Sequence, residues 1–218
     1  MDYNNFDSII FDLDGTLWDC SRATVVGYNK AYKELGILKS VDVDLIHYIS
    51  GIPSSEYDHF LLDGVPEDKQ EKILKLFAIY EQEAVKTFAK DSLFEGVEEG
   101  LQRLIRSNFK LFVVSNCGDL YLEAFFNDTG LRSYFKDYEC SGNTGLRKAD
   151  IIKSIVERNH LQHSCYIGDT AADERAANEA GIPFFHAKYG FEPEFNIDDD
   201  HTFSNFSELI NHFVKEIN

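Results

Sequence analysis

Two aspartates, Asp12 and Asp14, directly follow a short apolar run at 9–11. Residues two apart in extended backbone point to the same side, so the two carboxylates would stand close together. Such a pair is costly unless a cation or a proton offsets the repulsion. The pair is therefore either a solvated strand end or part of a site for a cation and an anion.

Polar residues also follow two later apolar runs. Ser115 and Asn116 come after LFVV, and Asp169 comes after CYI, with Asp173 four residues further on. Each group also has a purely structural explanation, because Ser and Asn suit turns. Thr170 and Asp173 could likewise form the capping box of a helix. Taken singly, these groups leave both interpretations open.

Lys148 stands at the start of a predicted helix whose apolar face holds Ile151, Ile152 and Ile155. A cation at a helix N-terminus is unfavourable by about 0.3–1 kcal/mol. A phosphate bound there would reverse the sign of that interaction. Lys148 is therefore either a surface lysine or an anion ligand.

The apolar runs have the length and composition of buried strands in a parallel sheet, and helical patterns alternate with them in the second half of the chain. The four predicted strands are 9–11, 111–114, 165–167 and 183–185. This alternation predicts an α/β fold, a doubly wound, mostly parallel, Rossmann-like sheet. The carboxyl ends of its strands would bring the polar groups to one edge. The carboxylates, a hydroxyl and a lysine at that edge would suit Mg²⁺ and an anion.

Residues 19–91 interrupt the alternation, because they contain helical patterns and no convincing strand. We interpret them as a small all-helical cap inserted after the first strand. Residues 1–18 and 92–218 would then form the α/β catalytic core, with hinges near 18–21 and 91–96.

The composition argues against several classes of partner. The 218 residues include 38 acidic and 21 basic ones, a net charge of −17, which disfavours nucleic acids and anionic membranes. No apolar run approaches the ~20 residues that span a bilayer, and no leader opens the chain. The four cysteines form no C-x-x-C pair. We expect a cytoplasmic protein, either a monomer or a weak homodimer.

Taken together, the polar groups match a known set of motifs in order. Asp12 to Leu17 read DLDGTL, Ser115 ends VVSN, Lys148 follows, and Gly168-Asp169-Thr170 precedes Asp173. The chain therefore resembles the haloacid dehalogenase superfamily. It is most similar to the helical-cap phosphatase branch of phosphoglycolate phosphatases and β-phosphoglucomutase-like proteins.

The resemblance implies a Mg²⁺-dependent phosphatase that hydrolyses a small phosphorylated metabolite through an aspartyl-phosphate intermediate. Asp12 would be the nucleophile, and Asp14 the general acid and base. Ser115, Asn116 and Lys148 would hold the phosphoryl oxygens. The implied metal ligands are Asp12, Asp169, the backbone carbonyl of Asp14, and Asp173 directly or through water.

Two alternatives remain within this resemblance. A β-phosphoglucomutase-like mutase needs a basic cap residue for its second phosphate, and the stretch 51–55 has no Lys or Arg. A regulatory protein on a retired site is disfavoured because all the charged groups are intact. Family members often have proline after the motif lysine, whereas Ala149 follows Lys148, which affects only the rigidity of the loop. Arg147 is an alternative to Lys148 as the cation of this motif, and Lys148 is favoured. His47 is the histidine considered for substrate contact from the cap.

Overall fold

The computed structural model describes residues 6–50, 52, 54–194 and 201–214, and these form an α/β fold around one six-stranded sheet. The strand order is β3-β2-β1-β4-β5-β6, and every neighbouring pair is parallel. The strands are β1 (Ser8–Phe11), β2 (Lys110–Ser115), β3 (Phe135–Cys140), β4 (Ser164–Gly168), β5 (Phe184–Ala187) and β6 (Thr202–Phe203). The predicted doubly wound parallel sheet is confirmed.

All four predicted strands are present, and two further strands were not predicted. β3 lies at one edge of the sheet and reads FKDYEC, so its charged residues interrupt the apolar run that would identify it as a strand. β6 has only two residues and lies at the opposite edge. Edge strands are exposed on one side, so they lack the continuous apolar run by which a central parallel strand is recognised.

Five of the described helices, α5, α6, α8, α9 and α10, pack against the sheet. The helices of the described residues are α1 (Ser21–Glu34), α2 (Val43–Ser50), α3 (Ser54–Leu62), α4 (Glu67–Phe88), α5 (Val97–Arg106), α6 (Asp119–Thr129), α7 (Ser141–Thr144), α8 (Lys148–Arg158), α9 (Ala171–Ala180) and α10 (Phe206–Phe213). One apolar cluster includes Phe11, Val113 and Ile167, and a second includes Ile10, Val114 and Tyr166. Successive strand residues thus contribute to opposite faces of a sheet that is covered on both sides.

Helices α1 to α4 occupy the stretch 19–91, and its described residues contain no named strand. Tyr28, Tyr32, Ile46 and Phe77 belong to a third apolar cluster, separate from those of the sheet. Helix α1 approaches α4 closely at Gly27, where an added Cβ would lie 2.6 Å from the backbone nitrogen of Glu81. A larger residue there would push the two helices apart.

The two segments that join the cap helices to the sheet run side by side. The backbone N–H of Asp19 donates to the carbonyl of Ser92 at 2.7 Å, and that of Phe94 donates to Leu17 at 3.2 Å. These bonds lie at the hinges expected near 18–21 and 91–96. The division into a cap at 19–91 and a core of 1–18 and 92–218 stays a prediction.

The strand register determines which polar residues meet at the carboxyl edge. Phe11 of β1 aligns with Val113 of β2 and with Ile167 of β4. Two residues later, Ser115 and Asp169 therefore leave their strands on either side of the backbone between Asp12 and Asp14. The topology brings together residues that are about 100 to 150 positions apart in the chain.

Candidate active site

Four of the predicted site residues meet in one buried cluster. One carboxylate oxygen from each of Asp12, Asp169 and Asp173 lies within 4.8 Å of the others. Lys148 Nζ donates to Asp12 Oδ1 at 2.9 Å and to Asp173 Oδ1 at 2.6 Å. All four side chains are buried. The lysine that opens α8 thus points into the acidic cluster.

Burial and neighbouring carboxylates raise the pKa of Asp12 and of Asp169. Burial, and then the Asp173 carboxylate, raise the pKa of Asp12, although Lys148 lowers it. Burial, and then the carboxylates of Asp173 and Asp12, raise the pKa of Asp169 well above its usual range. Burial alone would lower the pKa of Lys148, but Asp12 and Asp173 raise it.

Three buried carboxylates, two of them bonded to the same lysine, leave an excess of negative charge. Hard oxygen donors with such an excess are the donor set that Mg²⁺ prefers. The residues therefore fit the predicted cation: Asp12, Asp169 and Asp173 supply carboxylate oxygens at one point.

Asp169 is held in place by backbone and hydroxyl donors. The N–H of Phe191 donates to Asp169 Oδ2 at 2.7 Å, and the hydroxyl of Thr16 donates to Oδ1 at 3.4 Å. Gly15 has φ +77°, and a Cβ there would lie 2.0 Å from Asp169 Oδ2. Only glycine permits both this backbone conformation and this close approach.

Asp173 serves two purposes at once. Its Oδ2 accepts from the backbone N–H and the hydroxyl of Thr170, and Thr170 Oγ1 accepts from the N–H of Asp173, which completes a capping box for α9. Its Oδ1 accepts from Lys148. The helix-cap interpretation and the site interpretation of this motif are therefore compatible.

The Asp14 side chain is directed away from the acidic cluster. Trp18 Nε1 donates to Asp14 Oδ1 at 3.0 Å, and the Tyr121 hydroxyl donates to the same oxygen at 2.7 Å. Burial raises the pKa of Asp14 to about 6, although these two bonds lower it. The predicted metal ligand at this position is the backbone carbonyl, and that assignment stays a prediction.

Sequence reasoning missed the two partners of Asp14. Trp18 was interpreted only as part of a hinge, although its position four residues after Asp14 in a tight turn allows the bond. Tyr121 lies in α6, more than a hundred residues later, and no local pattern points to it. Only the packing of α6 over the β1 turn brings its hydroxyl to Asp14.

Ser115 is the last residue of β2, Asn116 follows it, and both are buried. Ser115 Oγ accepts from the N–H of Cys117 at 3.2 Å, and Asn116 Oδ1 accepts from the Ser141 hydroxyl at 3.2 Å. Arg147, weighed as a substitute for the lysine, is exposed and bonds to Asp150 and Glu179. Phosphate binding by Ser115, Asn116 and Lys148 stays a prediction.

A pocket lies between the cap helices and this edge of the sheet. Asp14, Asn116 and Tyr121 line it from the core, and Thr24 and Glu81 line it from α1 and α4. The stretch 51–55, used above to distinguish phosphatase from mutase, lies partly outside the described residues. Its Ile52 lines the pocket, whereas Gly51 and Pro53 are not described.

His47 of α2 meets the core through a loop residue. Its ring stacks on Phe191, with 3.9 Å between the ring centroids, and its Nε2 lies 3.1 Å from Ser21 Oγ. Phe191 follows β5 and lines the pocket. His47 thus lies beside the pocket, and direct contact with a substrate stays a prediction.

Across the described residues, no helix combines the length and the apolar content that spanning a lipid bilayer requires.

Comparisons with known proteins agree with this geometry. The family model of haloacid dehalogenase-like hydrolases matches residues 9–187. The phosphoglycolate phosphatase of Aquifex aeolicus is 29% identical over 217 residues, covering 95% of this chain and 98% of that protein. The phosphoglycolate phosphatase of Nitrosospira multiformis is 28% identical, covering 84% of each chain.

A solved structure shows the same fold. The haloacid dehalogenase-like hydrolase from Streptococcus pneumoniae superposes with a TM-score of 0.78 at 22% identity, covering 96% of this chain and 99% of that one. The predictions of the superfamily and of a hydrolytic enzyme similar to phosphoglycolate phosphatases are confirmed. The chain belongs to the haloacid dehalogenase-like hydrolase family.

Proposed function

We propose that this protein is a Mg²⁺-dependent phosphatase that hydrolyses a small phosphate monoester through an aspartyl-phosphate intermediate. The observation that carries the proposal is the buried cluster in which Lys148 bridges Asp12 and Asp173 beside Asp169. The curated relatives named phosphoglycolate phosphatase support the reaction class.

In the first step Asp12 attacks phosphorus. Lys148 holds Asp12 Oδ1, so Oδ2 is the attacking oxygen. As the new P–O bond forms, the ester P–O bond breaks and Asp14 gives its proton to the leaving oxygen. Its pKa of about 6 suits this role, because a general acid works best when its pKa lies near the working pH.

In the second step Asp14, now a carboxylate, takes a proton from water. The water oxygen attacks phosphorus, the bond to Asp12 breaks, and inorganic phosphate leaves. Tyr121 and Trp18 both donate to Asp14 Oδ1, so the proton is carried on Oδ2. The two bonds hold the carboxyl in one orientation through both steps.

The remaining residues bind and orient. Asp12, Asp169 and Asp173, together with the carbonyl of Asp14, would hold Mg²⁺, which when bound supplies the positive charge that lets a carboxylate approach an anionic phosphate. Ser115, Asn116 and the ammonium group of Lys148 would hold the phosphoryl oxygens. Lys148 thereby shares its charge between nucleophile and substrate.

The test is hydrolysis of a panel of small phosphate esters by wild type and Asp12→Asn. We expect wild type to release phosphate only with Mg²⁺ and to lose activity with a chelator. Asp12→Asn should lower kcat/KM by at least about a thousandfold, the size expected when a nucleophile is removed.

A matched control is Asp7→Asn, which makes the same chemical change at the opposite end of β1, where Asp7 accepts from Ser8. It should leave kcat/KM within about twofold. Hydrolysis that survives in Asp12→Asn would contradict the proposed nucleophile. Conversion of β-glucose 1-phosphate to the 6-phosphate without phosphate release would favour the mutase instead.

A further inference from the structure

We propose that the leaving group of the substrate is an uncharged, hydroxyl-bearing group and that Glu81 excludes carboxylates such as that of phosphoglycolate. This inference rests on the proposed phosphatase function. It follows from the groups that the cap presents to the pocket above Asp14.

Glu81 is placed in the pocket by the packing of two cap helices. Gly27 lets α1 approach the backbone of α4 at Glu81, and the Thr24 hydroxyl donates to Glu81 Oε1 at 3.0 Å. The hydroxyls of Tyr28 and Tyr57 line the same pocket. The Thr24 bond therefore fixes the position of the Glu81 carboxyl group in the pocket.

The charge around the leaving-group side of the pocket is negative. Glu81 lines the pocket, and so does Asp14, which becomes a carboxylate when it gives its proton to the leaving group; the nearby Asp19 carboxylate raises the pKa of Asp14. Among the described residues, no lysine, arginine or histidine lines this pocket. A carboxylate on the leaving group would thus be desolvated beside like charges without a counter-charge.

The pocket instead suits hydroxyl groups. Thr24, Tyr28 and Tyr57 offer hydroxyls, and Glu81 offers a carboxyl that can accept from a substrate O–H. Ile46 and Ile49 supply apolar walls for a carbon chain. When a substrate binds, its hydroxyl groups and the polar side chains of the pocket both lose water, so each must find a hydrogen-bond partner in the other. A substrate that cannot supply these partners binds less well.

Two basic side chains line a neighbouring cavity. His47 and Arg175 line it together with Phe191, which also lines the substrate pocket. His47 is hydrogen-bonded to Ser21 and lies 3.5 Å from Asp19, and an acid, Glu192, lines that cavity too. Because His47 already faces Asp19, it is not a strong partner for a substrate carboxylate.

Two matched esters isolate the charge of the leaving group. 2-Hydroxyethyl phosphate carries a CH₂OH group where phosphoglycolate carries a carboxylate, and the rest of the molecule is the same. Both would be assayed at pH 8, above the pKa of Glu81, which burial and then the Asp14 charge raise to about 7 while the Thr24 bond lowers it. p-Nitrophenyl phosphate reports basal activity.

We expect wild type to favour 2-hydroxyethyl phosphate over phosphoglycolate by at least about tenfold in kcat/KM, which corresponds to about 1.4 kcal/mol. Glu81→Gln keeps the shape and removes the charge, so it should reduce that ratio about tenfold, chiefly by improving phosphoglycolate. Glu83→Gln is the control, because Glu83 lies two residues away on α4, is exposed and pairs with Lys30. It should leave the ratio unchanged.

Three results would overturn the inference while the phosphatase function stands. These are phosphoglycolate hydrolysed as fast as its neutral analogue by wild type, a ratio that Glu81→Gln does not change, and activity on p-nitrophenyl phosphate alone. Loss of phosphoglycolate activity in His47→Gln would identify His47 as the carboxylate contact, which also contradicts it. If wild type hydrolyses no phosphate ester at all, the proposed function fails and the inference fails with it.

Discussion

The two aspartates of DLDGTL, two residues apart, lie in different environments. Asp12 faces Lys148 and the acidic cluster, whereas Asp14 is held by Trp18 and Tyr121 at the pocket. The sequence expectation that the two carboxylates stand together as a repelling pair therefore applies only weakly.

Replacing Asp14 tests its role as a general acid. Asp14→Asn should lower kcat for an alkyl phosphate by about 10²–10⁴-fold, the usual contribution of such a group. p-Nitrophenolate leaves readily without a proton, so the loss for p-nitrophenyl phosphate should be much smaller. The measurement is kcat for both esters with each enzyme at saturating substrate.

The control for Asp14→Asn is Tyr121→Phe, which removes one hydrogen bond to Asp14 Oδ1 but keeps the carboxyl group. It should retain the activity of wild type to within about tenfold on both esters. Equal losses for both esters in Asp14→Asn would contradict the assignment of Asp14 as the acid.

Single loops and helices connect the cap to the catalytic edge. The loop after β5 places the N–H of Phe191 on Asp169 and the ring of Phe191 against His47 of α2. One loop residue therefore contacts both a predicted metal ligand and the cap. We infer that this contact helps to hold the cap over the pocket.

A double-mutant cycle at His47 and Phe191 tests this contact. Each single change to Ala should raise KM for a hydrolysed ester about fivefold, because the cap is held less firmly over bound substrate. The double variant should be little worse than either one, since stacked rings are coupled by about 0.5–1.5 kcal/mol.

The control for this cycle is Tyr48→Ala, which removes an exposed ring from the same helix and should change KM little. Fully multiplicative effects of the two single changes would show that the rings act independently. The contact would then have no role in holding the cap.

At the scale of the whole molecule, two partly buried acids make stability depend on pH. The pKa of Glu81 is raised from 4.5 to about 7, and that of Asp14 from 3.8 to about 6, in each case chiefly by burial. Between its unfolded and its folded pKa, each group therefore binds more protons in the folded protein than in the unfolded chain. The contribution of these two groups to the free energy of unfolding is fully present below pH 4, and it is lost as the pH rises through 6 and 7.

Glu81→Gln should reveal this dependence in the metal-free protein. At pH 4, below the unfolded pKa of Glu81, the melting temperatures of the variant and wild type should agree. At pH 8 the variant should melt at least about 2 °C higher, the shift expected for 1 kcal/mol in a chain of this size. A difference that is the same at both pH values would contradict the raised pKa of Glu81.

The central strands and the order of the motifs were predictable from sequence because their signals are local. β1, β2 and β4 are short apolar runs, and the residues that follow them are the polar ones of the cluster. β3 and β6 were not predictable, because edge strands carry charged residues or are too short to show a pattern. The helix start at Thr170 was recognised because its capping box lies within four residues.

The sequence by itself determined the family, the sheet and the residues of the acidic cluster, since each depends on residue types at short spacing. Tertiary structure alone decided which groups surround Asp14. Tyr121 and Glu81 reach the pocket through α6 and α4, and only the close approach at Gly27 brings Glu81 beside Thr24. Such contacts depend on how helices pack against one another, and neither helix carries that information in its own pattern. Substrate choice, as proposed here, lies in that packing.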